Sequence, residues 1–141
     1  NGVVTFLDFG CVQPLDPALL PSAQAIHRAA LSRDEAAFEA AVIAHLGLRG
    51  GQYQKLAVAY SRLCFEPLFA SPFRISRDYS ASLVSELRQM KSAMWSKDGS
   101  FVMLPPTMIL LNRLQFGFYS VLARLDVPAD YASIERAFLP A

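Results

Sequence analysis

One stretch of this 141-residue sequence brings residue type and local structure together on a reaction: Phe6-Leu7-Asp8-Phe9-Gly10. A β-rich run, Val3 to Leu7, leads into an aspartate, and a glycine then lets the backbone leave the strand sharply. A carboxylate delivered by a strand end beside nucleotide phosphates binds Mg²⁺, which bridges phosphate oxygens and offsets charge during phosphoryl transfer. Phe9 would anchor the turn against the body that follows. Read plainly, the same letters are a strand end and a turn; a given tripeptide arises by chance in a chain this long about 2% of the time. Context strengthens the chemical reading to stand level with the plain one, because an Asn1-Gly2 hairpin turn precedes the run and helices follow it. That turn implies an earlier strand, so Val3 to Leu7 reads as an orphan edge.

The spacing after Gly10 narrows the chemistry. Ordinary protein kinases follow this motif with a long activation segment closed by Ala-Pro-Glu. Here only Cys11 to Asp16 separates the glycine from the first helix, and no Ala-Pro-Glu occurs. A conventional protein kinase is disfavoured and an atypical one is left. Other reactive side chains carry less. His27 and His45 lie 18 residues apart without an acidic or cysteine partner at ligand spacing, so they read as core-edge or surface residues. Cys64 falls on an apolar helical face as a small core residue. Cys11 is read as packing, with the lining of a nucleotide cleft as the alternative. Asn112 and Arg113, polar in an apolar helix, read as a buried hydrogen-bonded pair that sets helix packing, with a functional role as the alternative.

The elements that must position the motif are helical. The periodicity predicts a first helix from Pro17 to Leu31, with Leu19, Ala23, Ile26 and Ala30 on one face. A second begins with Ser32 and Glu35 as a capping box, buries Phe38, Ala41, Val42 and Leu46, and stops at Gly47. Arg49-Gly50-Gly51 is a loop. A third helix carries Tyr53, Leu56, Tyr60, Leu63 and Cys64 and ends before Pro67. The connection Glu66 to Phe73 turns Phe69 and Phe73 inward. The fourth, capped near Asp78, stripes Tyr79, Leu83, Leu87, Met90 and Met94 along one side. Ser96 to Gly99 is a turn. Pro105-Pro106 opens the longest helix, which runs to about Leu125. Its apolar residues, Met108, Leu111, Leu114, Phe118, Leu122 and Leu125 with Ile109, Phe116 and Tyr119, cover enough of the circumference to predict a central position. Asp130 caps a last short helix with Tyr131, Ile134 and Phe138 inward. The expected fold class is mainly α: about six helices in a single domain over 1–141, with one short N-terminal strand.

Composition sets the outer bounds. Hydrophobic residues make up 53% and charged residues 18%, below the quarter usual for a soluble domain, so some apolar surface is expected to be covered from outside the chain. A net charge of +1 without basic clusters gives no reason to expect a nucleic-acid partner. Two cysteines without ligand spacing predict a reducing compartment and no disulfide framework. No signal peptide is visible, and the most apolar run, FVMLPPTMILL, is 11 residues and broken by two prolines, too short to span a bilayer. The start at Asn1 without methionine reads as a processed or cut piece.

Three segments together resemble the UbiB-type atypical kinases, also called aarF-domain-containing kinases, which are linked to ubiquinone biosynthesis. VVTFLDFGCV is similar to their metal-binding segment. SRDEAAFEAAVIAHLGL is similar to the helix that follows it, and LPPTMILLNRLQFGFYSVLARLDV to their C-terminal signature. The likeness covers both ends, while the middle, roughly Gly50 to Gly99, diverges. It implies a protein-kinase-like fold of which this chain is the helical C-lobe, with residues 1–12 left from the active-site hairpin. It implies Asp8 as the Mg²⁺ ligand, with Phe9 and Gly10 beside the nucleotide. The nucleotide lysine, the nucleotide loop and the catalytic-loop aspartate and asparagine would precede Asn1, so no catalytic residue is expected within the chain.

The expectation is thus the C-terminal lobe of an ATP-binding kinase or ATPase, with Mg²⁺ and ATP as cofactors of an intact parent and neither held tightly by this piece. Its first partner is the N-terminal lobe of the same protein. Self-association through Val3 to Leu7 and contact with a membrane or lipid-pathway protein are further expectations. Its expected place is the cytoplasm, peripheral to the inner membrane. The alternative is a non-catalytic helical module whose apolar excess docks a protein or a membrane surface.

Overall fold

The computed structural model describes residue 2, residues 16–93, 101–103 and 106–139, with backbone alone at 93 and 106–110. The described residues are mainly helical, as the periodicity predicts. After a 3-10 turn, Pro17–Leu19, come α1 (Leu20–Ser32), α2 (Glu35–Leu46), α3 (Gly51–Cys64) and the short α4 (Glu66–Phe69). They are followed by β1 (Phe73–Arg74), α5 (Arg77–Ala93), α6 (Pro106–Leu125), β2 (Pro128–Ala129) and α7 (Tyr131–Arg136). The strand expected at Val3 to Leu7 and the turn at Ser96 to Gly99 lie outside the described residues. So do the side chains of Met94, Met108 and Ile109.

The first two helices form a hairpin joined by two residues. Arg33 takes a left-handed conformation (φ 58°), its N–H donates to the Ala30 carbonyl, and the Asp34 N–H donates to that of Ala29. This is a Schellman stop built on a non-glycine residue. Asp34 then caps α2 at once, its carboxylate accepting the Ala37 N–H at 2.9 Å. The cap expected at Ser32 is therefore misplaced. Ser32 completes α1 and donates to the Ala29 carbonyl at 3.0 Å, and Glu35 turns instead to Arg62 on α3 at 2.9 Å. Gly47 ends α2 as expected: at φ 63° it and Leu48 donate to the carbonyls of Ala44 and Ile43, and Leu48 is buried. Gly50 adopts φ 90° and ψ −169°, a region open only to glycine, and its N–H donates to the Gln54 side chain. Gly51 already belongs to α3.

The core lies where α1 packs on α2, α3 on α5 and α2 on α3. Ile26, Ala29 and Ala30 of α1 meet Phe38 and Val42 of α2, the alanines allowing close approach. Phe38 is 1% exposed and takes edge contacts from Phe65 and Phe69, with ring centroids 5.3 and 5.2 Å away. The α3 stripe buries Tyr53, Ala57, Tyr60 and Cys64. Pro67 sits in the first turn of α4, where its missing N–H costs nothing, so EPLF forms a helical turn rather than an open connection. Phe69 is buried, and Phe73 packs against the core. On α5, Tyr79, Leu83 and Met90 are buried, and the Tyr79 hydroxyl donates to the Leu63 carbonyl at 2.7 Å. The cap of α5 is Ser76, which accepts the Tyr79 N–H at 3.1 Å, and not Asp78.

Two expectations about the C-terminal third are corrected. The longest helix is peripheral: α6 packs on α5 through Phe116, Tyr119, Leu122 and Ala123. Its other apolar face is open, with Leu114 70%, Phe118 62% and Leu125 63% exposed. The last helix buries Ala132, while Ile134 and Phe138 are exposed. Asp130 does cap it, accepting the Ser133 N–H at 3.0 Å. The same carboxylate accepts from the Ser71 hydroxyl at 2.7 Å, and β1 pairs antiparallel with β2 (Phe73 opposite Ala129, Arg74 opposite Pro128). Residues 71–74 and 128–133 are thus tied together across almost sixty residues of sequence, which holds α7 against α4.

Candidate functional site

A groove of about 700 Å³ runs between α6 on one side and α1, α2, α3, α4 and α7 on the other. Ligand-sized sites in proteins fall at roughly 300–1,000 Å³, and most are apolar with a few polar groups. This one fits that description. Asn112, Gln115 and Tyr119 project into it from α6, with Leu111, Leu114 and Phe118 beside them. Helical spacing accounts for both sets: 112, 115 and 119 share one face, and 111, 114 and 118 share the next.

Its polar groups come from different elements. His27 on α1 sets Nδ1 2.5 Å from the Glu135 carboxylate of α7, a close contact that is not an aligned hydrogen bond. The same ring meets Phe65 edge-on at 4.9 Å. His45 on α2 has its Nδ1 2.7 Å from the Ser22 hydroxyl. Partial burial, and then the charge of His27, hold His45 below the ordinary histidine range, so it is a neutral imidazole at pH 7. The Ser22 hydroxyl donates to the Leu19 carbonyl at 3.0 Å. Its single proton is thereby engaged by the backbone of the turn that precedes its helix, a poor arrangement for a nucleophile.

Deeper in, burial pushes the Cys64 thiol up to about 11 and the Tyr119 hydroxyl up to about 12. Burial first, and then the neighbouring thiol, also raise Tyr60, whose hydroxyl has no aligned hydrogen-bond partner among the described residues. None of these groups is ionised at neutral pH, so the wall offers no thiolate or phenolate. The groove can bind apolar surface and orient it through a few polar contacts. It has no activated nucleophile paired with a base.

Asp8, Phe9 and Gly10 lie outside the described residues, and Cys11 with them. Among the described residues no group of three or more His, Cys, Asp or Glu could hold a metal ion. No described helix is long and apolar enough to cross a membrane. Cys64 is a buried core residue, as its helical face predicts. Asn112 is half-buried in the groove and Arg113 is exposed, so the expected buried pair does not form. Sequence spacing missed the acidic partner of His27, because Glu135 follows it by more than a hundred residues on a helix of its own. No family model, curated protein or solved structure matches the chain.

Proposed function

We propose that this chain is the helical C-terminal lobe of a UbiB-type atypical ATP-binding kinase or ATPase, in which Asp8 holds the Mg²⁺ of a bound nucleotide beside Phe9 and Gly10. The observation that supports it is a juxtaposition. The Asp-Phe-Gly segment is followed, after only six residues, by a mainly helical body that starts at Pro17. A metal there would neutralise phosphate charge during transfer. The described helices would supply the scaffold on which the segment rests, and the phosphate-cradling groups would come from the other lobe. The setting proposed is the cytoplasmic face of the inner membrane, in ubiquinone biosynthesis.

The test is calorimetric titration of ATP–Mg²⁺ into the full-length parent and its Asp8→Asn variant. The variant should bind at least about tenfold more weakly with Mg²⁺ present and about equally without it, because one metal ligand is lost. Equal affinity with Mg²⁺ sinks the assignment of Asp8. Tight binding and turnover by the 141-residue chain alone would contradict its reading as a single lobe. The second reading, a non-catalytic helical module, is favoured by the open apolar face of α6. A parent that binds no ATP while retaining a partner on that face would support it.

A further inference from the structure

The open side of α6 has a spacing that selects its occupant. Leu111, Leu114, Phe118, Val121 and Leu125 fall at intervals of three, four, three and four residues, the a and d positions of a heptad repeat. All five are exposed, from 39% at Leu111 to 70% at Leu114. A stripe limited to a and d is narrower than the face a helix normally turns to a globular core, and it is the seam that a second helix fills. Here the core-facing side of α6 is a separate one, carried by Phe116, Tyr119 and Ala123. The helix therefore has two apolar sides, one used and one open.

We infer that the open seam pairs with the same seam of a second copy, the two α6 helices running antiparallel. In the register that opposes Leu114 to Leu125 of the other copy, Phe118 meets Val121, a large side chain against a small one. Both contacts occur twice, as a two-fold axis requires. The flanking positions raise no charge conflict, since Arg124 falls opposite Gly117, whose missing side chain leaves room for it. The area is sufficient. The four seam side chains that meet in this register, Leu114, Phe118, Val121 and Leu125, offer on the order of 100 Å² each, about 400 Å² per copy. That approaches the apolar part of a standard footprint of about 800 Å² per partner. The pairing is independent of Asp8 and of the strand Val3 to Leu7, and goes beyond the proposed function.

Sedimentation equilibrium over a micromolar concentration series tests it, on this chain and on the full-length parent that the proposed function implies. Both should dimerise. Leu114→Glu and Phe118→Glu should each weaken the dimer at least about tenfold, because each buries an unpaired carboxylate in the seam. Both positions are exposed in the monomer, so circular dichroism should show unchanged helix content. In a Cys11→Ser background, mixed Leu114→Cys and Leu125→Cys chains should cross-link on oxidation, and Leu111→Cys alone should not. The Leu111 positions of the two copies would then lie about 25 Å apart along the helix axis. A monomer throughout, a dimer indifferent to Leu114→Glu, or self-cross-linking of Leu111→Cys overturns the inference. So does binding of monomers to anionic phospholipid vesicles that Leu114→Glu abolishes, since a lipid surface would then be the occupant.

Discussion

Arg62 makes several kinds of contact, and each suits a guanidinium. Its Nε lies 2.9 Å from both carboxylate oxygens of Glu35 on α2, and Nη1 lies 2.5 Å from Glu66 at the start of α4. The plane of the group rests 3.6 Å over the Phe69 ring. Glu35 is mostly exposed, so its share is screened by water and salt. The contacts with Glu66 and Phe69 are better sheltered. Arg62→Ala should therefore destabilise the fold by about 1–2 kcal/mol in urea unfolding. Arg62→Lys should recover less than half of that, since one ammonium cannot serve both carboxylates and stack on the ring. Full recovery by lysine would show that charge alone matters there.

At the scale of elements, the α1–α2 hairpin shows how a turn of two residues is built. Arg33 in the left-handed region stops α1, and Asp34 caps α2 in the next position. Asp34→Ala removes an acceptor from an N-terminal N–H and should cost about 1 kcal/mol. Ser32→Ala, on the last turn of α1, should stay within about 0.5 kcal/mol. Denaturant unfolding of the two variants compares them directly, and a larger loss at Ser32 would restore it as the cap. The same logic separates Ser76 from Asp78 on α5. In each case the serine or aspartate chosen is the one whose backbone leaves the helix, which side-chain type alone does not reveal.

For the whole molecule, two titrating groups act with the same sign. Asp130, through hydrogen bonds from Ser133 and Ser71, is held down at about 2 against an ordinary 3.8. Its contribution is complete above 3.8 and is lost as the pH falls through about 2. His45 is held below 6.5, mainly by burial. The unfolded chain takes up its proton first, so this contribution is present above 6.5 and is lost as the pH falls through the lower folded value. Thermal stability should therefore fall on acidification from about pH 7, with His45→Gln flattening the slope as the pH falls below 6.5. A His45→Gln curve parallel to the parent's in that window would remove His45 as the cause. The variant keeps a polar partner for Ser22, so lost packing does not confuse the comparison.

The sequence by itself determined where most helices run, the Gly47 stop, the Asp130 cap and the apolar stripes of α3 and α5. Each of these rests on hydrogen bonds and side-chain spacings within one or two turns, which neighbouring residues settle among themselves. Only the tertiary structure decided which side of α6 goes inward. Both sides are apolar, and the choice falls to contacts outside the helix, such as the Tyr119 hydroxyl reaching the Cys64 carbonyl at 3.2 Å. It likewise decided that His27 meets Glu135 and that Ser71 meets Asp130, pairs from distant segments that no periodicity connects. The groove belongs to this second class, since six helices must be in place before its walls face one another. The proposed role of Asp8 rests on the residues on either side of it, and it stands or falls with the titration of Asp8→Asn.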